Sequence, residues 1–258
     1  MVEISSPNNP KVLEAMKLRD SAALRREKGL FFLEGERLVL DVFESGYTPK
    51  FAFVTEEAFW KYDCQPFLNA AAYARLISPL AAKRLGDTDT PQGIFAVFAR
   101  KEIPLPAKLS RYILLENVQD PGNLGGIART AEALGAEAML LAGGCDPFNP
   151  KALRASMGSL LRLPFAQKRV AEAAAEAQAN GIPVYATVPA ADALPCTKAD
   201  YSKGALLLFG NEGNGLKQTT IQKADAQITV PMHGRTESLG VLSAASILIY
   251  EMMREAAA

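Results

Sequence analysis

The run RYILLENVQDPGNLGGIARTAEALGAEAMLLAG, Arg111 to Gly143, decides the fold class. Its opening YILLENV is nearly all apolar and has the length of a strand; DPGNLGG reads as a glycine-containing loop; IARTAEALG carries helical periodicity; EAMLLAG is a second apolar run. Strand, loop, helix and strand in that order build a parallel sheet, and runs without alternation mark strands covered on both faces. Moving outward, IPVYATV, ALLLFG and AQITVPM repeat the strand signal, with the helical VAEAAAEAQANG before them. The closing SLGVLSAASILIYEMMREAAA reads as a helix apolar around most of its girth until Glu251, which predicts burial, with another subunit as a candidate partner.

Upstream, KEIPLPAKLS (Lys101 to Ser110) holds two prolines and predicts a linker. Before it, an amphipathic stretch with Val12, Leu13, Met16 and Leu18 leads to FFLEG, and ERLVLDVFESG closes at Gly46 as a capped helix. Short strands follow at KFAFV, ARLIS and GIFAVFA, which together predict a small α/β/α layer domain. The expected domains are thus 1–100, a linker at 101–110, and 111–258.

A chain of 258 residues exceeds one domain of roughly 100–150 residues, so two are expected. Hydrophobic residues at 49% and charged residues at 22% exclude disordered, collagenous and fibrous classes. Lys and Arg total 28, as do Asp and Glu, so any basic surface must be local. Cys64, Cys145 and Cys196 are odd in number and widely spaced, which argues against disulfides and zinc and for a reducing cytoplasm. MVEISSPNNPKV lacks a signal-peptide pattern, and no apolar run reaches the roughly 18 residues that span a bilayer. A soluble protein with no membrane partner is expected.

Three strands of the second half end in glycine-bearing segments: DPGNLGG, GNEGNG and PMHGRTESLG. In an open parallel sheet, loops at the carboxyl ends of strands form the ligand crevice, and glycine admits close backbone approach. Either these glycines make tight turns and nothing more, or they surround one adenosine-sized site. G-x-x-G-G and G-x-x-G-x-G are not the dinucleotide fingerprint G-x-G-x-x-G, and no phosphate-loop lysine motif occurs. His233 is the single histidine, which leaves no ordinary triad or metal constellation.

The runs NVQDPGNLGGIARTAEALGA, LLLFGNEGNGL and ITVPMHGRTESLGVLSAASILIYE, in that order, resemble the three motifs of the SpoU-type RNA 2′-O-ribose methyltransferases of the SPOUT superfamily. KALRASMGSLLRLPF is similar to a further segment of the family. FFLEGERLV and DTDTPQGIFAVF resemble the ribosomal-protein-like substrate-binding domain that precedes the catalytic domain in rRNA-directed members. The resemblance implies an α/β catalytic domain whose last motifs thread a deep trefoil knot, S-adenosylmethionine bound in a bent pose with no metal, and a homodimer packed near the knot.

By the same resemblance, backbone at Gly210, Val230 and Leu239, with Thr187 in the same crevice, holds the cofactor. Arg129 matches the family's catalytic arginine. It either abstracts the 2′-hydroxyl proton or orients a phosphate, because a guanidinium is a poor base in ordinary surroundings; in the second case Glu212 is the proton acceptor. Asn123 matches the motif-one asparagine and orients Arg129 or the ribose. Ser238 either caps the last helix or contacts the site. One departure stands out: the third motif reads Ser238-Leu239-Gly240 where the family carries an asparagine after the leucine.

RNA needs local positive charge. Lys151, Arg154, Arg162, Lys168 and Arg169 form an acid-free basic strip, and Lys11, Lys17, Arg19, Arg25, Arg26 and Lys28 crowd the opening helix region as a second basic strip. Lys151, Arg154, Arg162, Arg25 and Arg26 are the expected phosphate contacts. The expectation is a methyltransferase acting on RNA, ribosomal RNA ahead of transfer RNA; the alternative is a catalytically silent RNA-binding or ribosome-assembly protein that keeps the fold, with a dinucleotide oxidoreductase below both.

Overall fold

A computed structural model describes residues 3–254, so the first two residues and the last four of the closing helical run lie outside the described residues. The chain forms two compact units, Met1–Glu102 with Phe148–Gly158, and Ile103–Pro147 with Ser159–Ala258.

The first unit runs β1 (Glu3–Ile4), α1 (Pro10–Asp20), α2 (Ala22–Lys28), β2 (Leu30–Glu34), α3 (Glu36–Glu44), β3 (Pro49–Val54), α4 (Glu56–Lys61), α5 (Gln65–Ala70), β4 (Tyr73–Ile77), α6 (Pro79–Leu85) and β5 (Ile94–Ala99). Its sheet is ordered β1-β4-β3-β5-β2. The β1, β4 and β3 pairings are parallel, whereas β5 runs antiparallel to both β3 and β2. Asn9 and Ser21 cap α1 and α2 with side-chain oxygens, and Pro10 takes the first-turn position where a missing N–H is harmless. Val12, Ala15 and Leu18 of α1 bury against Phe32, Phe53 and Phe95. On the other face Phe31 stacks on Phe98 with ring centroids 5.7 Å apart.

That face also takes a segment from far along the sequence. Phe148 lies 5.4 Å from Phe31 between ring centroids, and the Arg100 guanidinium sits 3.9 Å above its ring. The helix that follows, α8 (Pro150–Ser156), is capped by Asn149.

The second unit holds β6 (Arg111–Glu116), α7 (Pro121–Leu134), β7 (Ala138–Ala142), β8 (Phe165–Gln167), α9 (Val170–Ala179), β9 (Val184–Thr187), β10 (Leu194–Pro195), β11 (Ala205–Phe209), α10 (Gln218–Ile221), β12 (Ala226–Thr229) and α11 (Val241–Arg254). All seven strands are parallel, in the order β10-β12-β9-β11-β6-β7-β8. Leu207 pairs with both Ile113 and Tyr185, which sets the central register. Tyr112, Leu114, Leu206 and Leu208 point to the face where α9 packs Ala173, Ala174 and Ala177. Ile113, Leu115, Leu207 and Phe209 alternate to the opposite face and are just as buried. There α7 and α11 pack on each other, and α11 also lies against β11.

Sequence and structure differ at the start of α7. DPGNLGG is not a loop: Asp120 caps and Pro121 opens α7, so Gly122, Gly125 and Gly126 are helical. The Asp120 carboxylate accepting from the Asn123 N–H outweighs the low helix propensity of three glycines. β8 and β10 were not expected, because two or three residues are too few to show a period. Among the described residues no helix is long and apolar enough to cross a membrane.

Candidate active site

After β6 the chain turns one way in the sheet towards β7, and β11 returns on the other side of β6. Such a reversal opens a crevice at the carboxyl ends of the two strands. β11 ends at Phe209 and the chain folds back at once: Asn211 N–H donates to Gly215 O at 3.1 Å and Gly215 N–H to Asn211 O at 2.9 Å. The Asn211 side-chain oxygen accepts from Gly213 N and Asn214 N, closing the turn from inside. Gly210 makes this possible. A Cβ there would lie 2.1 Å from the Gly215 carbonyl carbon and 2.2 Å from Leu216 N.

The β11 turn is locked to the β6 connection by one carboxylate. Glu212 Oε1 accepts from Asp120 N at 2.9 Å and from Asn123 Nδ2 at 3.1 Å. Oε2 accepts from Gln119 N at 3.1 Å and Asn211 Nδ2 at 3.2 Å. Asn211 Nδ2 also reaches Asn117 O at 3.0 Å. Partial burial alone would raise the Glu212 carboxyl, but the N–H donors of Asp120 and Gln119 and the Asn123 amide outweigh it and hold the group below its ordinary value. Asn123 and Glu212 therefore meet directly, whereas sequence reasoning missed Asn211 and Gln119. Asn-Glu inside a glycine-rich turn was the available signal.

Beside this lock lies a cavity of about 510 Å³. Thr187, Gly210, Glu212, Val230, Ser238 and Leu239, six of the residues singled out in the sequence, all line it. Ile228, Met232, Ala244 and Leu248 complete an apolar wall that the sequence did not single out. The Thr187 hydroxyl donates to Leu208 O at 2.8 Å, tying β9 to β11 at the cavity floor. Ser238 does not cap the last helix. Ala244 N–H bonds to Gly240 O at 3.0 Å, so Gly240 holds the cap position and the exposed Ser238, two residues earlier, faces the cavity instead.

Arg129 lies outside this lining, on α7 six residues beyond Asn123. It is exposed, and among the described residues it makes no ion pair. No group of three His, Cys, Asp or Glu side chains gathers among the described residues to hold a metal.

The expected RNA contacts divide. Arg25 is corrected: it is 2% exposed, and its guanidinium donates to Leu18 O at 2.8 Å and Arg19 O at 2.7 Å, tying α1 to α2. Buried arginine satisfying carbonyls is a strut and cannot meet a phosphate. Arg26 and Lys151 are exposed. Arg154 donates to Asp87 at 2.6 Å and Arg162 to Glu132 at 2.5 Å. The Arg162 hydrogen bond holds the Glu132 carboxyl below its ordinary value against partial desolvation.

Comparison with known proteins follows the same lines. Residues 110–250 match the SpoU rRNA Methylase family, and residues 9–96 match the MRM3-like substrate binding domain. The chain is 34% identical to the 23S rRNA (guanosine(2553)-2′-O)-methyltransferase RlmP of Bacillus subtilis, over 98% of this chain and 99% of that one. Its structure is similar to an AdoMet-bound rRNA methyltransferase from Sinorhizobium meliloti, with a TM-score of 0.85 and 30% identity over 98% and 97% of the two chains. It is also similar to the SpoU methyltransferase AviRb from Streptomyces viridochromogenes in complex with AdoMet, with a TM-score of 0.85 and 25% identity over 97% and 99%.

Proposed function

The chain belongs to the SpoU rRNA methylase family, and from that premise we propose that it methylates a ribose 2′-hydroxyl of RNA using S-adenosylmethionine. Ribosomal RNA is the substrate class, supported by RlmP over nearly the full length and by the match to a substrate-binding domain at residues 9–96. The carrying observation is the cavity in which residues of the second and third motifs meet Thr187, with the first motif fastened beside it through Asn123 on Glu212.

The residues fit the cofactor. A cavity of about 510 Å³ is in the range of small-molecule sites, and it pairs an apolar wall with backbone groups of the Gly210 turn, which suits a nucleoside joined to an apolar thioether chain. Gly210, Val230, Leu239 and Thr187 hold it. When bound, S-adenosylmethionine supplies a methyl group on a positively charged sulfur, open to attack by oxygen.

The chain's own task is to place the 2′-oxygen in line with that methyl. Arg129, exposed and without an ion pair among the described residues, takes a phosphate of the RNA strand, the role a planar charged guanidinium fills best. Asn123 positions the ribose, its Nδ2 fixed on Glu212. Glu212 acts as a positioning residue. Both carboxylate oxygens already accept two hydrogen bonds, which makes it a poor proton acceptor, so the 2′-hydroxyl proton passes to water. Ser238 contacts the site from the third motif.

The domain division belongs to the same proposal: residues 1–100 bind RNA, 101–110 link, and 111–258 catalyse. So do a trefoil-knotted carboxyl-terminal segment, a cytoplasmic location and a homodimer, the last supported by the exposed Ile247 and Tyr250 on α11.

Labelled-methyl transfer to deproteinised ribosomal RNA tests the reading. The product should resist alkaline cleavage at one position, since a methylated 2′-oxygen cannot attack the neighbouring phosphate. Arg129→Ala and Glu212→Gln should each lower transfer about 10²-fold or more. With Glu212 held below its ordinary 4.5, the lock is complete above that pH and lost as pH falls through the lower folded value. The rate should therefore show no Glu212 limb from pH 5 upward. S-adenosylhomocysteine binding without any transfer would instead establish the silent alternative.

A further inference from the structure

A second cavity, of about 590 Å³, lies at the carboxyl ends of β6, β7 and β8, lined by Glu116, Ala142, Lys168, Arg169, Lys217 and Lys223 among others. None of these residues belongs to the cavity described above, yet the two are neighbours. Gly210 to Leu216 line the first, and Lys217, Thr219 and Thr220, next along the same connection, line the second.

Its charge is unevenly spent. Lys168 and Arg169 pair with Glu176 and Glu172 of α9. The buried Glu116 is committed to the fold: Oε2 accepts from Lys217 N at 3.1 Å and Oε1 from the Thr220 hydroxyl at 2.8 Å, pinning the start of α10. The Lys217 ammonium stays 3.9 Å from Glu116 Oε1 with a side chain 71% exposed, so that pair is weak. Lys223 is exposed and makes no ion pair among the described residues. Four cations thus surround a hollow whose two acids are already engaged, Glu116 by the Lys217 N–H and the Thr220 hydroxyl and Glu172 by Arg169. Val170 and Ala171, in the first turn of the ten-residue α9, line the same hollow, and α9 has no side-chain cap to compete for its first N–H groups.

We infer that this cleft seats a phosphate of the RNA strand, one side of the β11–α10 connection binding the methyl donor and the other a phosphate of the acceptor strand. The inference rests on the RNA-methyltransferase reading and adds a site to it. Lys217 and Lys223 are the main contacts, each a point charge on a flexible stem, and Lys168 and Arg169 reinforce them after exchanging their acidic partners for phosphate.

The test is the salt dependence of ribosomal-RNA binding by the full chain, wild type against Lys217→Gln/Lys223→Gln, with S-adenosylhomocysteine titrated into both. Expected are an affinity loss of about 10–100-fold, a salt slope shallower by about one for each lysine, and unchanged S-adenosylhomocysteine affinity, with the double Lys→Arg variant restoring most of the RNA affinity. An unchanged slope in a variant that binds S-adenosylhomocysteine normally overturns the cleft and leaves the methyltransferase reading standing. A wild type that binds S-adenosylhomocysteine but no RNA overturns both. Binding of 5′-AMP that is lost in the variant, with RNA affinity untouched, overturns the strand phosphate in favour of a free nucleotide. Should the double variant lose S-adenosylhomocysteine binding through misfolding, Lys223→Gln alone, at an exposed position, carries the same slope test with half the expected change.

Discussion

The connection after β6 and the connection after β11 are both rich in glycine, and they use it in opposite ways. After β11, Gly210 lets the chain cross its own backbone, so the missing Cβ leaves room for main-chain atoms that cannot move aside. After β6, the glycines are wound into α7, where the missing Cβ of Gly126 leaves room for the Leu242 side chain of α11. A third glycine, Gly240 at the start of α11, faces open space, with nothing within 4 Å of where a Cβ would stand. One residue type thus shapes a binding turn, sets a helix–helix approach and fills a position that tolerates a side chain. What separates them is the neighbour the Cβ would meet, which no glycine pattern in a sequence encodes.

The sharpest way to break that comparison is Gly210→Ala. A methyl group 2.1 Å from a carbonyl carbon cannot be relieved by a rotamer change, so the Asn211–Gly215 turn must open. Opening it moves Glu212 and frees both Asn123 and the Gln119–Asp120 backbone. The expected result is loss of S-adenosylhomocysteine binding by calorimetry, by more than about 100-fold, roughly 3 kcal/mol. Retained affinity would show that the turn relaxes without disturbing the cavity.

Gly126→Ala should be milder. The added methyl meets Leu242 Cδ2 at 2.8 Å and Cδ1 at 2.9 Å, the far end of a half-buried side chain that can turn away. Overpacking of this kind costs about 1–3 kcal/mol, and the gain in helix propensity returns up to about 1 kcal/mol. A net loss of about 1 kcal/mol in urea unfolding is expected, relieved when Leu242→Ala is added; a loss that Leu242→Ala leaves unrelieved would place the clash elsewhere.

Much of the molecule was legible because long apolar runs carry their own period. β6, β7, β9, β11 and β12 coincide with runs read as strands, and the second and third motifs converge on one cavity with the first held beside it through Asn123. What escaped was decided by partners distant in sequence. The start of α7 turns on a cap by Asp120, set beside glycines that locally oppose a helix. Arg25 looks like its neighbour Arg26 in the sequence, and only the proximity of the Leu18 and Arg19 carbonyls converts it into a buried strut. Phe148 and α8 follow β7 in sequence yet pack in the unit that holds Phe31. The four donors on Glu212 come from residues up to 93 positions away, a convergence that no window of sequence contains.

The smallest structural effect belongs to Gly240→Asn, and it isolates chemistry from fold. Gly240 sits in ordinary backbone with open space around it, so an asparagine fits without displacing a neighbour. Its carbonyl already accepts the Ala244 N–H that starts α11, and asparagine is among the better residues at a helix start, so unfolding should change by no more than about 0.5 kcal/mol. The side chain would stand between Leu239 and Val241, both of which line the cavity, and would add an amide beside the reacting ribose. If that amide helps align the 2′-oxygen, methyl transfer should rise a few-fold with the S-adenosylhomocysteine affinity unchanged. A rate that falls while stability and affinity hold would mean that the open space at Gly240 is itself used, as room for the incoming nucleotide. Gly210 would then be shaped by its own backbone and Gly240 by the substrate.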